Sequence, residues 1–468
     1  MQPVETAFGE MTGEAMLISA TRATTLKLAN QREAAAPRQP VLMRGAQAFD
    51  LPAALAVADP ALDMQNPLKG PFKALPLGWE TPARAALELA RSGQDVAVLD
   101  RHRPGWGASG RNGGQICSGQ RQDMLELERL VPKEDAKRLW HLAEEAKALV
   151  RKRVDQHNIS CDLRSGILTA AWKPSHYRFL VRYIEHLRTQ YDYEHAHLLD
   201  RAEIENHLAT SIYHGGCLDR GAGHLHPLNF ALGLGQAAAD AGVTIYHHSK
   251  VKSICREGGQ SLIRTDHGQL RASFIVLACN GYLGRLEPRL TGSIMPINNF
   301  ILATESLGEE HARNLIREGV AVSDTKFVVD YFRMTSDHRL LFGGGENYTR
   351  RFPRNIKSFV RRYMLRVFPQ LSEVRVDYGW GGTLAITRNR LPLFGRLEGN
   401  TFYALGYSGQ GVALATLAGR VLASAIAGTA EDFDVLARVP RRQFPGGALL
   451  RWPGLAFGML YYALRDHL

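Results

Sequence analysis

Apolar and polar positions along the chain fall into helix and strand periods that set out its elements. Ala85 to Arg91 consists of good helix formers, and Ser92-Gly93 stops it where a helix C-cap wants positive φ. Val96 to Leu99 is a short apolar run suited to a buried parallel strand, closed by the carboxylate of Asp100. In Lys133 to His157, Leu139, Leu142, Ala146, Leu149 and Val150 recur at helical spacing, opposite a charged face. Cys161 to Trp172 reads as a strand pair hinged at Ser165-Gly166. A helix is expected after Pro227, strands over Val243 to Ile254 and Ser261 to Thr265, and an apolar run from Phe274 to Ala278 that ends in Cys279-Asn280-Gly281. Ser293 to Leu307 and Phe327 to Gly345 alternate as antiparallel strands, followed by a short helix over Tyr363 to Leu371.

Two glycine-rich turns interrupt this pattern. Gly105-Trp106-Gly107-Ala108-Ser109-Gly110-Arg111-Asn112-Gly113-Gly114-Gln115 has five glycines in eleven residues, directly after the strand and Asp100. Glycines let backbone N–H groups approach a ligand, and Ser109, Arg111, Asn112 and Gln115 add donors for phosphate or a polar ring edge. Near the other end, a strand at Phe402 runs into Gly406-Tyr407-Ser408-Gly409-Gln410-Gly411-Val412 and then a helix from about Ala413 to Ala427. Such a helix start offers free N–H groups and the positive end of a dipole.

The stretch GWGASGRNGGQ, with several later segments, resembles the FAD-dependent D-amino-acid-oxidase-like superfamily, and within it the gamma-glutamylputrescine oxidase-like amine oxidases, over roughly Ala85 to Leu468. The resemblance implies an α/β fold: a Rossmann-like FAD-binding domain with a mainly parallel sheet (85–170, 215–290 and 371–430) and an inserted antiparallel-sheet substrate domain (171–214 and 291–370), followed by a tail (431–468). It implies FAD as cofactor, held by Asp100, Ala108, Ser109, Gly110, Arg111, Asn112, Gly113, Gly114 and Gln115 and by Gly406 through Val412. Val251 would meet adenine through its backbone, and Gly281 would let the chain turn near the pyrophosphate. The implied reaction is oxidation of a C–N bond of a small amine, with oxygen as acceptor; a dehydrogenase that uses a quinone or carrier protein is the alternative. Tyr331 and Arg333, two apart on a strand and so on one face, are substrate-pocket candidates, and His224 and His226 are expected near the flavin.

Such a protein is expected to open with a strand and a GxGxxG turn at about Leu77 to Pro82. The sequence there is Leu77-Gly78-Trp79-Glu80-Thr81-Pro82, with one glycine, and Pro82 where the third should stand. Phe49-Asp50-Leu51 could begin the strand, but Pro52 follows. The fingerprint is not found: either it has been lost, or Pro52 to Pro82 is a local frame error, and a remnant that binds FAD weakly is a further alternative. Hydrogen bonds to a charged partner are worth about 1.5–3 kcal/mol each, so losing two would weaken FAD binding by orders of magnitude.

Composition adds bounds. The 468 residues suffice for two or three domains, and 45% hydrophobic with 22% charged residues is ordinary for a globular protein. Five widely spaced cysteines without a CxxC pair argue for reduced thiols rather than disulfides or a zinc site. The net charge of +11 is scattered, so no nucleic-acid partner is expected. No apolar run is long enough to span a bilayer and no secretion signal is evident, so a cytoplasmic location is expected.

Overall fold

A computed structural model describes residues 15–20, 80–257, 259–347, 351–398 and 400–447. Six strands form one sheet: β1 (Ala15–Ala20), β2 (Asp95–Asp100), β3 (Thr244–Tyr246), β4 (Phe274–Leu277), β5 (Leu393–Leu397) and β6 (Thr401–Leu405), in the order β5-β6-β4-β1-β2-β3. The pairs β4/β6 and β2/β3 are parallel, as expected. The centre differs. β1 runs antiparallel to both β4 and β2, with Ala20 opposite Asp95 and Ala15 opposite Asp100. The sheet is therefore mixed, and its central strand comes from a part of the chain where no strand was expected. The strand sought near Phe49 and the residues Leu77 to Trp79 lie outside the described residues.

Helix α1 (Glu80–Arg91) begins earlier than the pattern at Ala85 indicated. Pro82 is tolerated because the first-turn N–H groups have no intrahelical acceptor in any case. The helix stops at Ser92, whose hydroxyl bonds the Leu89 carbonyl at 2.8 Å, and at Gly93 with φ of +81°. The short link to β2 turns α1 back along the sheet, so its N-terminus lies at the Asp100 end. Ala20, at the end of β1, lies opposite Asp95, at the other end of the strands.

Two further helices frame the site: α2 (Ala108–Arg111) and α3 (Gly411–Ile426). Ala83 and Ala86 of α1 and Ala415 and Ala418 of α3 share one buried core, and the backbones come close at Gly419. A Cβ there would lie 2.5 Å from Arg84 Cβ and 2.7 Å from the Ala85 nitrogen.

The second sheet has nine strands. From Val376–Ile386 it passes through Met295–Ser306, Arg339–Asn347, Tyr331–Met334, Ala321–Asp324, Arg164–Ala170 and Gly216–His224 to Gln115–Ile116, and Ala196–Leu199 also pairs with Gly216–His224. The expectation of an antiparallel sheet needs correction at one place: Ala321–Asp324 pairs parallel with Arg164–Ala170, a pairing that joins segments far apart in sequence. Several of these strands come from segments expected in the cofactor domain. Cys161 to Trp172 contains one strand rather than a hinged pair, because Gly166, with φ of +101°, introduces an irregularity between Ser165 and Ile167 without reversing the chain. The helix expected at Tyr363 starts earlier, at Ile356, where the Asn355 side chain caps it.

Candidate cofactor and substrate site

The first glycine motif is held by its own polar side chains. Asn112 Nδ2 donates to the carbonyls of Ala108 and Ser109, both at 2.8 Å, and its Oδ1 accepts from Gly114 N at 2.7 Å. Arg111 Nη1 donates to the Gly381 carbonyl at 3.0 Å, and its guanidinium lies 4.9 Å from the Trp106 ring centre. Gln115 Nε2 donates to the Val322 carbonyl at 2.9 Å, which ties the motif to the nine-stranded sheet.

A cavity of about 910 Å³ joins the two glycine-rich turns. Ala108, Ser109, Arg111, Asn112, Gly113 and Gln115 line it on one side, and Tyr407, Ser408, Gly409, Gln410, Gly411 and Val412 on the other. No side chain caps the first turn of α3. Its backbone N–H groups are among those a helix leaves without an intrahelical acceptor. Gln410 is buried, and its Oε1 has no hydrogen-bond partner among the described residues.

The nine-stranded sheet adds Asn299, Ser323, Asp324 and Tyr331 to the wall, with Lys326 just beyond it, and the helix Pro174–Tyr191 adds Phe179, Tyr183 and Leu187. The Tyr331 ring sits where a Cβ on Gly113 or Gly343 would fall 2.7 or 2.1 Å from it, and its hydroxyl donates to Asn299 Oδ1 at 2.5 Å. Lys326 lies between two buried carboxylates, 3.1 Å from Asp324 Oδ2 and bonded to Asp330. Burial outweighs the lysine and holds both carboxyls above their usual range.

Several expected site residues lie elsewhere. Arg333 shares the strand with Tyr331 but does not reach the cavity: it is buried under the glycine motif, donating to the Gly113 carbonyl at 2.8 Å and to Met334 at 3.2 Å. His224 is buried against the Gly319 carbonyl at 3.0 Å, and burial with Arg333 nearby pushes it down to about 3, so it is neutral. His226 caps the next helix, with Nδ1 accepting from Asn229 N at 3.2 Å. Asp100 is buried and accepts from His102 N at 2.8 Å. Val251 is in the core, and Gly281 packs on the Leu384 backbone; neither lines the cavity, although Asn280 does, and its Oδ1 accepts from Gly406 N at 3.0 Å. Gly110, Gly114 and Gly406 shape the turns from behind the wall.

Sequence reasoning missed Glu80 and Thr81 at the start of α1, both of which line the cavity. Thr81 Oγ1 lies 2.8 Å from the Tyr407 hydroxyl and donates to the Ala415 carbonyl at 3.1 Å. Asn299 and Asp324, on strands, and Lys326, in the bend that follows Asp324, were also missed, because isolated polar residues carry no motif.

The sequence profile of the FAD dependent oxidoreductase family matches residues 83–425. The chain belongs to this family. This oxidoreductase is 39% identical over 392 residues to the gamma-glutamylputrescine oxidoreductase of Escherichia coli K12, covering 84% of this chain and 92% of that protein. It is also 39% identical over 390 residues to a probable oxidoreductase, OrdL, of Rhizobium meliloti, covering 83% and 90%. The fold matches the crystal structure of glycine oxidase from Geobacillus kaustophilus with a TM-score of 0.67 at 21% identity, covering 78% of this chain and 97% of that one.

FAD is therefore the cofactor, and the residues fit it unequally. The uncapped start of α3 and the unpartnered Gln410 Oε1 would offer donors and an acceptor to the polar edge of the flavin ring. The start of α1, the helix end that would meet the phosphates, bears instead the carboxylate of Glu80, which accepts a hydrogen bond from Ser109 Oγ.

Proposed function

We propose that this oxidoreductase oxidises the C–N bond of an amine of the gamma-glutamylputrescine class, with oxygen as electron acceptor. The observation that carries the reading is a cavity lined both by the two glycine-rich turns and by charged side chains of both signs. Asp219 and Asp324 contribute carboxylates to it, and Lys326 and Arg388 contribute cations. Asp324 and Lys326 pair with each other, so Asp219 and Arg388 are the lining charges that suit the amine and carboxylate groups of a substrate. The identity to the Escherichia coli relative over nearly its whole length supports the same class.

When bound, FAD supplies the acceptor for the hydride removed from the carbon beside nitrogen. The protein's part is to orient the amine and to limit water. Tyr331 and Asn299, bonded to each other, give the wall a fixed polar edge, and Asp324 and Lys326 place charge next to it. Hydrolysis of the product imine then gives aldehyde and ammonia.

Reconstituted protein is expected to release peroxide under air with gamma-glutamylputrescine, and less with putrescine, sarcosine or D-amino acids. Flavin that bleaches anaerobically with the amine but releases no peroxide would replace oxygen with another acceptor. Flavin that no amine bleaches would overturn the reading.

A further inference from the structure

We propose that the Glu80 carboxylate occupies the anion position at the N-terminus of α1 and competes there with the phosphates of FAD, so that cofactor uptake is controlled by the charge on Glu80. The inference concerns cofactor uptake and stands whichever amine is oxidised.

Helix N-termini are anion sites, and dinucleotide folds place the pyrophosphate at the helix after the first strand. In this chain that helix is α1, with twelve described residues, of which the first is an acid. The Glu80 side chain turns inward: the residue is 5% exposed, lines the cavity and accepts from Ser109 of the glycine motif. The donor that would meet a phosphate oxygen is thus engaged by a carboxylate of the same chain. The second glycine turn faces the same cavity with the unpartnered, buried Gln410 Oε1, which independently marks the space as built for a ligand.

The groups around Glu80 do not neutralise it. On its own helix, Arg84 is one turn away and pairs with Glu88. From the α3 side, the Tyr407 hydroxyl is held to Thr81, and burial together with the Glu80 charge raises its pKa. Arg111, from the glycine motif, is directed to the Gly381 carbonyl and Trp106. Among the described residues no cation pairs with Glu80. Burial pushes its carboxyl up to about 7, against the smaller opposing effect of the Ser109 bond. The protonated acid is neutral and can give way to a phosphate; the ionised acid repels it. FAD should accordingly bind more tightly as pH falls through neutrality.

The test is flavin titration of apoprotein, followed by fluorescence, with two probes: FAD, and riboflavin, which has the ring and no phosphate. For the unaltered protein, FAD affinity is expected to fall by about tenfold or more between about pH 6 and about pH 8.5, while riboflavin affinity stays within about twofold. Glu80→Gln is expected to raise FAD affinity at the higher pH by a similar factor and to flatten its pH dependence, and Glu80→Ala to do the same. Three results would overturn the proposal: FAD affinity indifferent to both pH and substitution, riboflavin shifting as much as FAD, or no FAD binding by any of the three proteins. None of these readouts uses turnover, so failure of the amine-oxidation reading would be seen separately.

Discussion

Tyr331 shows how one side chain is fixed by what its neighbours lack. Its ring occupies space that a Cβ on Gly113 or Gly343 would take, one glycine from the cofactor motif and the other from the adjacent strand. The hydroxyl then has one geometry open to it and bonds Asn299. Tyr331→Phe is expected to keep the fold and the flavin but to raise KM several-fold, because the half-buried Asn299 amide loses the partner that orients it. Unchanged KM and kcat in steady-state kinetics would remove Tyr331 from the substrate wall. The period-two reading correctly put Tyr331 and Arg333 on one strand. It could not show that the glycine motif covers the face at Arg333, a long-range contact between residues 220 positions apart. That His224 lies outside the cavity was hidden for the same reason: its surroundings are set by Gly319 and Arg333, which are distant in sequence.

At the scale of elements, the turns that carry dense local chemistry were legible. The strand, glycine turn and helix start around Gln410, and the strand followed by GWGASGRNGGQ, both form, and one cavity receives both. What a single stretch could not reveal is how α1 and α3 meet. Their approach depends on Gly419, since any side chain there would strike the backbone of α1 at Ala85. Gly419→Leu is expected to separate the two helices, to cost about 1–3 kcal/mol as overpacking, and to lower both the melting temperature and flavin uptake. A melting curve and flavin titration that match the unaltered protein would contradict that account of the helix pair. The central strand was the least legible element. Ala15–Ala20 pairs with β2 and β4 across long stretches of chain, and nothing in its six residues specifies an antiparallel register.

Taken as a whole, the molecule keeps the architecture of its family around an altered centre. A nine-stranded sheet bearing Asn299, Asp324 and Tyr331 faces the cofactor turns across one cavity, as an enzyme that brings a substrate to a flavin requires. The first strand, however, runs antiparallel to both of its neighbours, and an acid stands at the helix end where an anion belongs. Glycine spacing alone could flag the missing turn, but the residue that fills its place becomes visible only when α1 is set against Ser109. The central claim is that the turns around Asn112 and Gln410 hold one flavin between them. A crystal structure of the protein reconstituted with FAD tests it most directly: the ring is expected in the cavity between those two turns, on the side of Tyr331, and a ring bound anywhere else, or a cavity left without flavin at saturating FAD, would contradict it.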